Sequence, residues 1–127
     1  MPDHAATSSP AARTGAAQLA GVRAHLAEVA GDDEAFIAEL LVEFIALAQA
    51  TAPTLLAGAA AGPSEALARA AHSLKGAALN VGADVIAGGC RQLEEGARGG
   101  AGAAELLGAA QLVAAAVAEL AAALDGV

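Results

Sequence analysis

From Ala103 to Leu124 the chain reads AAELLGAAQLVAAAVAELAAAL, and Leu106, Ala110, Val113, Val117, Leu120 and Leu124 follow one another at alternating steps of four and three. That rhythm is the seam of a helix packed against other helices, because residues three and four apart share one helical face. No segment alternates apolar and polar residues with period two, so the sequence calls for no strands. The core must come from helices and from small side chains: 57% of the residues are hydrophobic, yet the aromatic ones are only Phe36 and Phe44. Alanine on facing surfaces lets helices approach closely. At 127 residues the chain is long enough for one domain with a modest core.

Gly, Pro and Asp punctuate the chain into five helical segments. Residues 1–14, rich in Pro, Ser, Thr and Ala without periodicity, are expected to form a mobile tail that includes His4, with a single helical bundle domain over 15–127. A short first helix is expected at about 17–29. The second opens at DDEAF, where Asp32 is placed to cap free backbone N–H groups and Asp33 and Glu34 suit the positive end of the helix dipole. Its apolar set is Phe36, Ile37, Leu40, Leu41, Phe44, Ile45 and Leu47, and Pro53 must either kink it or divide it. The third starts at GPSEAL with Ser64 as candidate cap and runs to about Val81; the fourth, ADVIAGGCRQLEEGAR, carries Ile86, Cys90, Leu93 and Ala97 on one stripe. The expected fold is all-α: an antiparallel up-and-down four-helix bundle with an additional short N-terminal helix.

Charge and cysteine content exclude several functions. The net charge is -8 and the six Lys and Arg are scattered, which argues against nucleic acid as a partner. The lone Cys90 rules out an intramolecular disulfide and a Cys-rich metal site, and suits a reducing cytoplasm. On its stripe Cys90 is most simply a small core residue. The N-terminus lacks an apolar stretch behind a basic start, and the best candidate for a membrane span, the Ala103–Leu124 segment, carries Glu105, Gln111 and Glu119. No export signal or membrane association is expected.

The third helix holds the residues that stand apart. At about 100° per residue, Leu67, Ala71, Leu74, Ala78, Val81 and Val85 fall in one narrow arc, whereas His72 lies about 160° from Leu74, on a strip shared with Glu65, Arg69, Gly76 and Leu79. Its imidazole should stand in water. A solvated histidine is ordinarily just a surface residue, but two neighbours shift that balance. Gly76, one turn on, costs about 1 kcal/mol relative to Ala inside a helix, in a chain that uses Ala freely. The missing methyl clears the surface beside the ring, and Lys75, three residues from His72, brings an ammonium to the same place. Room, positive charge and a nucleophilic nitrogen together suit a phosphoryl group, which a neutral imidazole can attack without a dedicated base.

The stretch AHSLKGAALNVGA, residues 71–83, resembles the histidine-containing phosphotransfer (HPt) domain of bacterial phosphorelays, whose pattern is His-x-x-Lys-Gly followed by a Gly-Ala step, here Gly82-Ala83. FIAELLVEF upstream and CRQLEEGAR downstream look like that family's flanking helices, so the resemblance covers roughly residues 32–124. It implies that His72 accepts a phosphoryl group from a phospho-aspartate on a response-regulator receiver domain and relays it to another regulator, in a pathway fed by a hybrid histidine kinase. Lys75 would neutralise phosphoryl oxygens and Gly76 would give access. The chain would be a phosphocarrier more than an enzyme, with no cofactor of its own and the Mg²⁺ held by the receiver.

Around His72, a docking patch for a receiver is expected from Ala68, Arg69, Leu79 and Asn80, although Arg69 could equally pair with Glu65 and an isolated exposed leucine needs no explanation. Gln92 and Glu94 flank the core stripe of the fourth helix; the sequence leaves open which of them reaches His72. His25 has no Lys-Gly companion and is expected at the surface. A receiver-docking or dimerising bundle that carries no phosphate, and a phosphoacceptor domain cut from a chemotaxis-type kinase, are the alternatives. An outright enzyme is the least supported, for want of a phosphate-binding loop, a nucleophile triad or a metal-ligand array. A cytoplasmic monomer is the expected state.

Overall fold

All four interhelical links in this computed structural model turn on a glycine with positive φ at the end of a helix: Gly31, Gly62, Gly82 and Gly100, of which Gly31, Gly82 and Gly100 share a value of 78°. The structure describes residues 10–126. Five helices fill that range: α1 (Pro10–Ala30), α2 (Glu34–Ala61), α3 (Glu65–Val81), α4 (Asp84–Gly99) and α5 (Ala103–Asp125). Among the described residues there is no strand.

The core is one contiguous cluster to which every helix contributes, with Val22, Leu41, Leu55, Leu74, Ile86, Leu93, Leu106 and Leu120 among its fully buried members. Burial of each such side chain contributes about 1.5–3 kcal/mol. Alanines 48, 59, 68, 71, 78 and 110 lie between them at 1% exposure or less. The helices α2 to α5 pack in a ring, each against its neighbours in sequence and α5 back against α2, while α1 lies chiefly on α5. Contacts fix the registers. Gly89 of α4 faces Val113 and Gly96 faces Leu106 of α5, so these two helices run in opposite directions; a methyl on Gly89 would stand 2.7 Å from Val113 Cγ2, which is why glycine sits there.

The first helix is not short. It begins at Pro10, inside the stretch expected to be tail, and at 21 residues outruns both α3 and α4. Pro10 at its first position is compatible with helix entry, since that N–H has no intrahelical partner to lose. Residues 1–9, including His4, lie outside the described range. The cap of α2 is Asp33, not Asp32: its carboxylate accepts from the Phe36 N–H at 3.1 Å. Pro53 does not divide α2, which continues from Glu34 to Ala61. Phe36 and Leu47, expected inside, are 44% and 47% exposed, and Ala48, Ala52 and Ala59 take the buried places instead. Val85 belongs to the first turn of α4 and is exposed rather than aligned with the core arc of α3.

Two helices, α2 and α5, are long and apolar enough to cross a membrane by length and composition. Both place their large apolar side chains, such as Leu41, Leu55, Val113 and Leu120, in the common core.

Candidate functional site

Helix α3 is delimited as its sequence directs. The Ser64 hydroxyl accepts from the Leu67 N–H at 3.0 Å, closing the N-terminus. At the other end Gly82 adopts the left-handed conformation and the Ala83 N–H reaches back to the Ala78 carbonyl at 2.8 Å, a Schellman-type stop. A methyl at Gly82 would also collide with His25, 2.6 Å from its Cβ and Cγ. His25 is therefore half-buried against the α3–α4 turn, with Nε2 3.2 Å from the Asn80 carbonyl, and not a free surface residue.

The buried face of α3 comprises Leu67, Ala68, Ala71, Leu74, Ala78 and Val81. These residues span an arc centred not on Leu74 but some 40–50° round toward Ala71 and Ala78, because α2 and α4 cover the helix from two sides. Two consequences follow for the expected site. Ala68, expected in a docking patch, is 0% exposed and cannot touch a partner. His72 sits at the margin of the α4 contact rather than opposite the core, and its side chain is still 63% exposed.

That margin brings a carboxylate to the histidine. Glu94 of α4 is only 7% exposed, and its Oε2 lies 3.0 Å from His72 Nδ1 while its Oε1 accepts from Lys75 Nζ at 2.8 Å. Arg98, one turn further along α4, donates through Nη1 to the same Oε2, and through Nη2 at 3.3 Å to Glu65 at the start of α3. Of the two residues left open on α4, Glu94 makes the contact, and Gln92 is exposed on the side facing α5, in the groove with Gly96, Ala104 and Leu112. The hydrogen bond from Lys75 holds the Glu94 carboxyl below its ordinary value of 4.5, with the His72 hydrogen bond adding to it and burial opposing. Glu94 is therefore ionised and can only accept.

An acceptor on Nδ1 fixes the tautomer. His72 must carry its proton on Nδ1, which leaves the Nε2 lone pair directed away from Glu94, and Nε2 makes no hydrogen bond to a described residue. Beside the ring, a methyl built on Gly76 would meet nothing within 4 Å, so this turn of α3 is bare on its outer side. Lys75 is 23% exposed and turned toward Glu94 rather than outward. Leu79, two turns from His72, is 54% exposed on the same strip. Arg69 is exposed and 3.9 Å from Glu65, and Asn80 is exposed at the end of the strip.

Elsewhere Cys90 is fully buried, and burial pushes its thiol from 9.0 up to about 11. No group of three His, Cys, Asp or Glu side chains that could hold a metal occurs among the described residues. The groove between α4 and α5 contains none of His72, Lys75 or Glu94. Lys75, Glu94 and Arg98 line a separate surface depression together with Arg91, Glu95 and Gly99.

An all-helical bundle that turns one histidine outward, with a buried carboxylate behind the ring and a bare helical turn beside it, presents an imidazole to other molecules instead of enclosing a substrate. The chain belongs to the Hpt domain family, whose model matches residues 39–126, from the first turns of α2 to the end of α5. Such domains act as histidine phosphocarriers in phosphorelays. No curated protein and no solved structure matches the chain.

Proposed function

We propose that this chain is a cytoplasmic histidine phosphotransfer protein in which His72 takes a phosphoryl group from a receiver-domain phospho-aspartate and passes it to the aspartate of another receiver. The observation that carries this reading is the 3.0 Å contact between Glu94 and Nδ1 of a histidine otherwise open to solvent. In the forward step the Nε2 lone pair attacks phosphorus, the bond from phosphorus to the aspartyl oxygen breaks, and the aspartate leaves with that electron pair as a carboxylate. The Nδ1 proton stays in place. The ring becomes a phosphorylated imidazolium whose positive charge faces ionised Glu94, so the carboxylate stabilises the product and the approach to it.

Reversal transfers the group onward. In-line attack needs an unobstructed approach to Nε2, which the bare turn at Gly76 supports. Lys75 can turn from Glu94 toward phosphoryl oxygens, and Leu79 with Arg69 and Asn80 supplies an exposed strip for the receiver. Mg²⁺ and the acidic cluster that position the transferring group belong to the receiver in this scheme. No cofactor is required of this chain.

The test is to mix the chain with a receiver domain carrying radiolabelled phospho-aspartate and Mg²⁺, then to follow the label. Acid-labile, base-stable label on the wild type, and none on His72→Gln, is the expected result. A His72→Gln chain labelled as well as wild type would refute the site. A wild type that binds receivers but never takes label would leave an interaction bundle.

A further inference from the structure

We infer that Arg98 is a positioning residue for the phosphoacceptor: its guanidinium fork spans Glu94 and Glu65 and thereby aims Glu94 Oε2 at His72 Nδ1, holding the ring in the tautomer with Nε2 free. The inference rests on the phosphotransfer reading for its functional meaning, but its structural content stands on the contacts alone.

Glu94 has two oxygens and three cationic or proton-bearing neighbours. Lys75 occupies Oε1, whereas Oε2 receives both His72 Nδ1 and Arg98 Nη1. A single-point ammonium contact at Oε1 fixes one corner of the carboxylate and leaves it free to swing about that corner. A second donor on Oε2 removes the swing, and Arg98 is suited to it because its planar fork binds in two places at once. The other tine reaches Glu65 of α3 at 3.3 Å, so the fork is braced against the helix that carries His72. Glu65 draws the guanidinium further toward its charged form than Glu94 does. No hydrogen bond joins Arg98 to the ring.

Charge balance points the same way. Glu94 is held between two cations, Lys75 and Arg98, while Glu65 is shared by Arg98 and, at 3.9 Å, Arg69. Once a phosphoryl group arrives and Lys75 turns to meet it, Arg98 remains as the counter-ion of a buried carboxylate that would otherwise be stranded. The lysine is free to leave because the arginine stays.

The experiment is ¹⁵N NMR of the His72 ring in the full chain at alkaline pH, where imidazole is neutral, on wild type, Arg98→Met, Arg98→Lys and Glu65→Ala. Wild type should show the Nδ1–H tautomer almost alone. In Arg98→Met the Nε2–H tautomer should appear in comparable amount, and phosphoryl acceptance from a phosphorylated receiver should slow about tenfold, the scale of losing a residue that orients another. Arg98→Lys keeps the charge without the fork and should fall between the two, as should Glu65→Ala, whose exposed position keeps the test open if Arg98→Met fails to fold. An unchanged tautomer in Arg98→Met, or in Glu65→Ala where the former does not fold, overturns the inference. A tautomer shift in a chain that accepts no phosphoryl group from any receiver sinks the phosphotransfer reading and leaves the positioning role standing.

Discussion

Glu94 Oε2 stands 3.0 Å from His72 Nδ1, across the contact between α4 and α3. On the phosphotransfer reading the pair divides the work of one reactive group between two helices: α3 exposes the ring and α4 sets its proton. Replacing Glu94 by Ala removes the acceptor and lets either ring nitrogen carry the proton. Phosphoryl acceptance should drop about tenfold, the range seen when a partner that orients a histidine is lost. Glu94→Gln, whose amide oxygen can still accept from Nδ1–H, should lose less. Initial rates with a phosphorylated receiver measure both, and equal rates for wild type and Glu94→Ala would remove the assigned role.

The same carboxylate makes stability depend on pH in a defined direction. Its value in the fold is depressed below the ordinary 4.5, first by the Lys75 hydrogen bond. A group depressed on folding stabilises the native state above its unfolded value, and that contribution is lost as pH falls through the folded value. The difference in urea midpoint between wild type and Glu94→Gln should therefore be largest near neutrality and shrink on acidification from about pH 6 to about pH 3. A difference that grows over that range would contradict the ion pairing.

Gly76 separates stability from function. Nothing lies within 4 Å of a methyl placed there, so Gly76→Ala should gain up to about 1 kcal/mol from helix propensity. Its melting temperature should rise by about 2–8 °C. Phosphotransfer should nevertheless slow, and more so in Gly76→Leu, because the added atoms occupy the approach to the ring. A variant that is stabilised and transfers at the wild-type rate would show that the bare turn serves no partner.

How much of this was legible in the sequence follows from which signals are local. Ser64, Gly82 and the steps of three and four along α5 mark helix limits and faces through the chain's own backbone, and the structure follows them. The exposure of His72 and the burial of Cys90 follow from the same angular reading. Glu94 was undecidable because Gln92 and Glu94 lie symmetrically, about 100° to either side of Leu93. Only the side on which α3 packs distinguishes them, and that is a property of the assembled bundle. Ala68 and His25 were misplaced for the same reason: each is covered by a helix remote in sequence, not by its own periodicity. Arg98 had a visible signal, its i, i+4 spacing from Glu94, which gains meaning only once Glu94 is seen to face the histidine.

Cys90 offers a check on the packing between α4 and its neighbours. With the thiol fully buried and raised to about 11, thiolate is scarce at pH 8 and the sulfur is out of reach. Alkylation by iodoacetamide at that pH should be slower than that of the urea-unfolded chain by at least about a hundredfold. Rapid labelling of the folded chain would mean that α4 opens readily.

Ala68 and Leu79 lie on the same helix, and the arc of burial assigns them opposite roles. Ala68 is 0% exposed, so Ala68→Leu forces extra volume into a filled contact and should cost about 1–3 kcal/mol. Leu79 is 54% exposed, so Leu79→Ala should change stability by less than about 0.5 kcal/mol. Receiver binding should respond the other way round. Leu79→Ala removes apolar surface from the strip beside His72 and should weaken association severalfold in a titration against a receiver domain. The fraction of Ala68→Leu that remains folded should bind with undiminished affinity, since Ala68 is fully buried. If Leu79→Ala binds as tightly as wild type while Gly76→Leu does not, the receiver sits toward the N-terminal half of α3, nearer Arg69, and the docking strip is shorter than the exposed face.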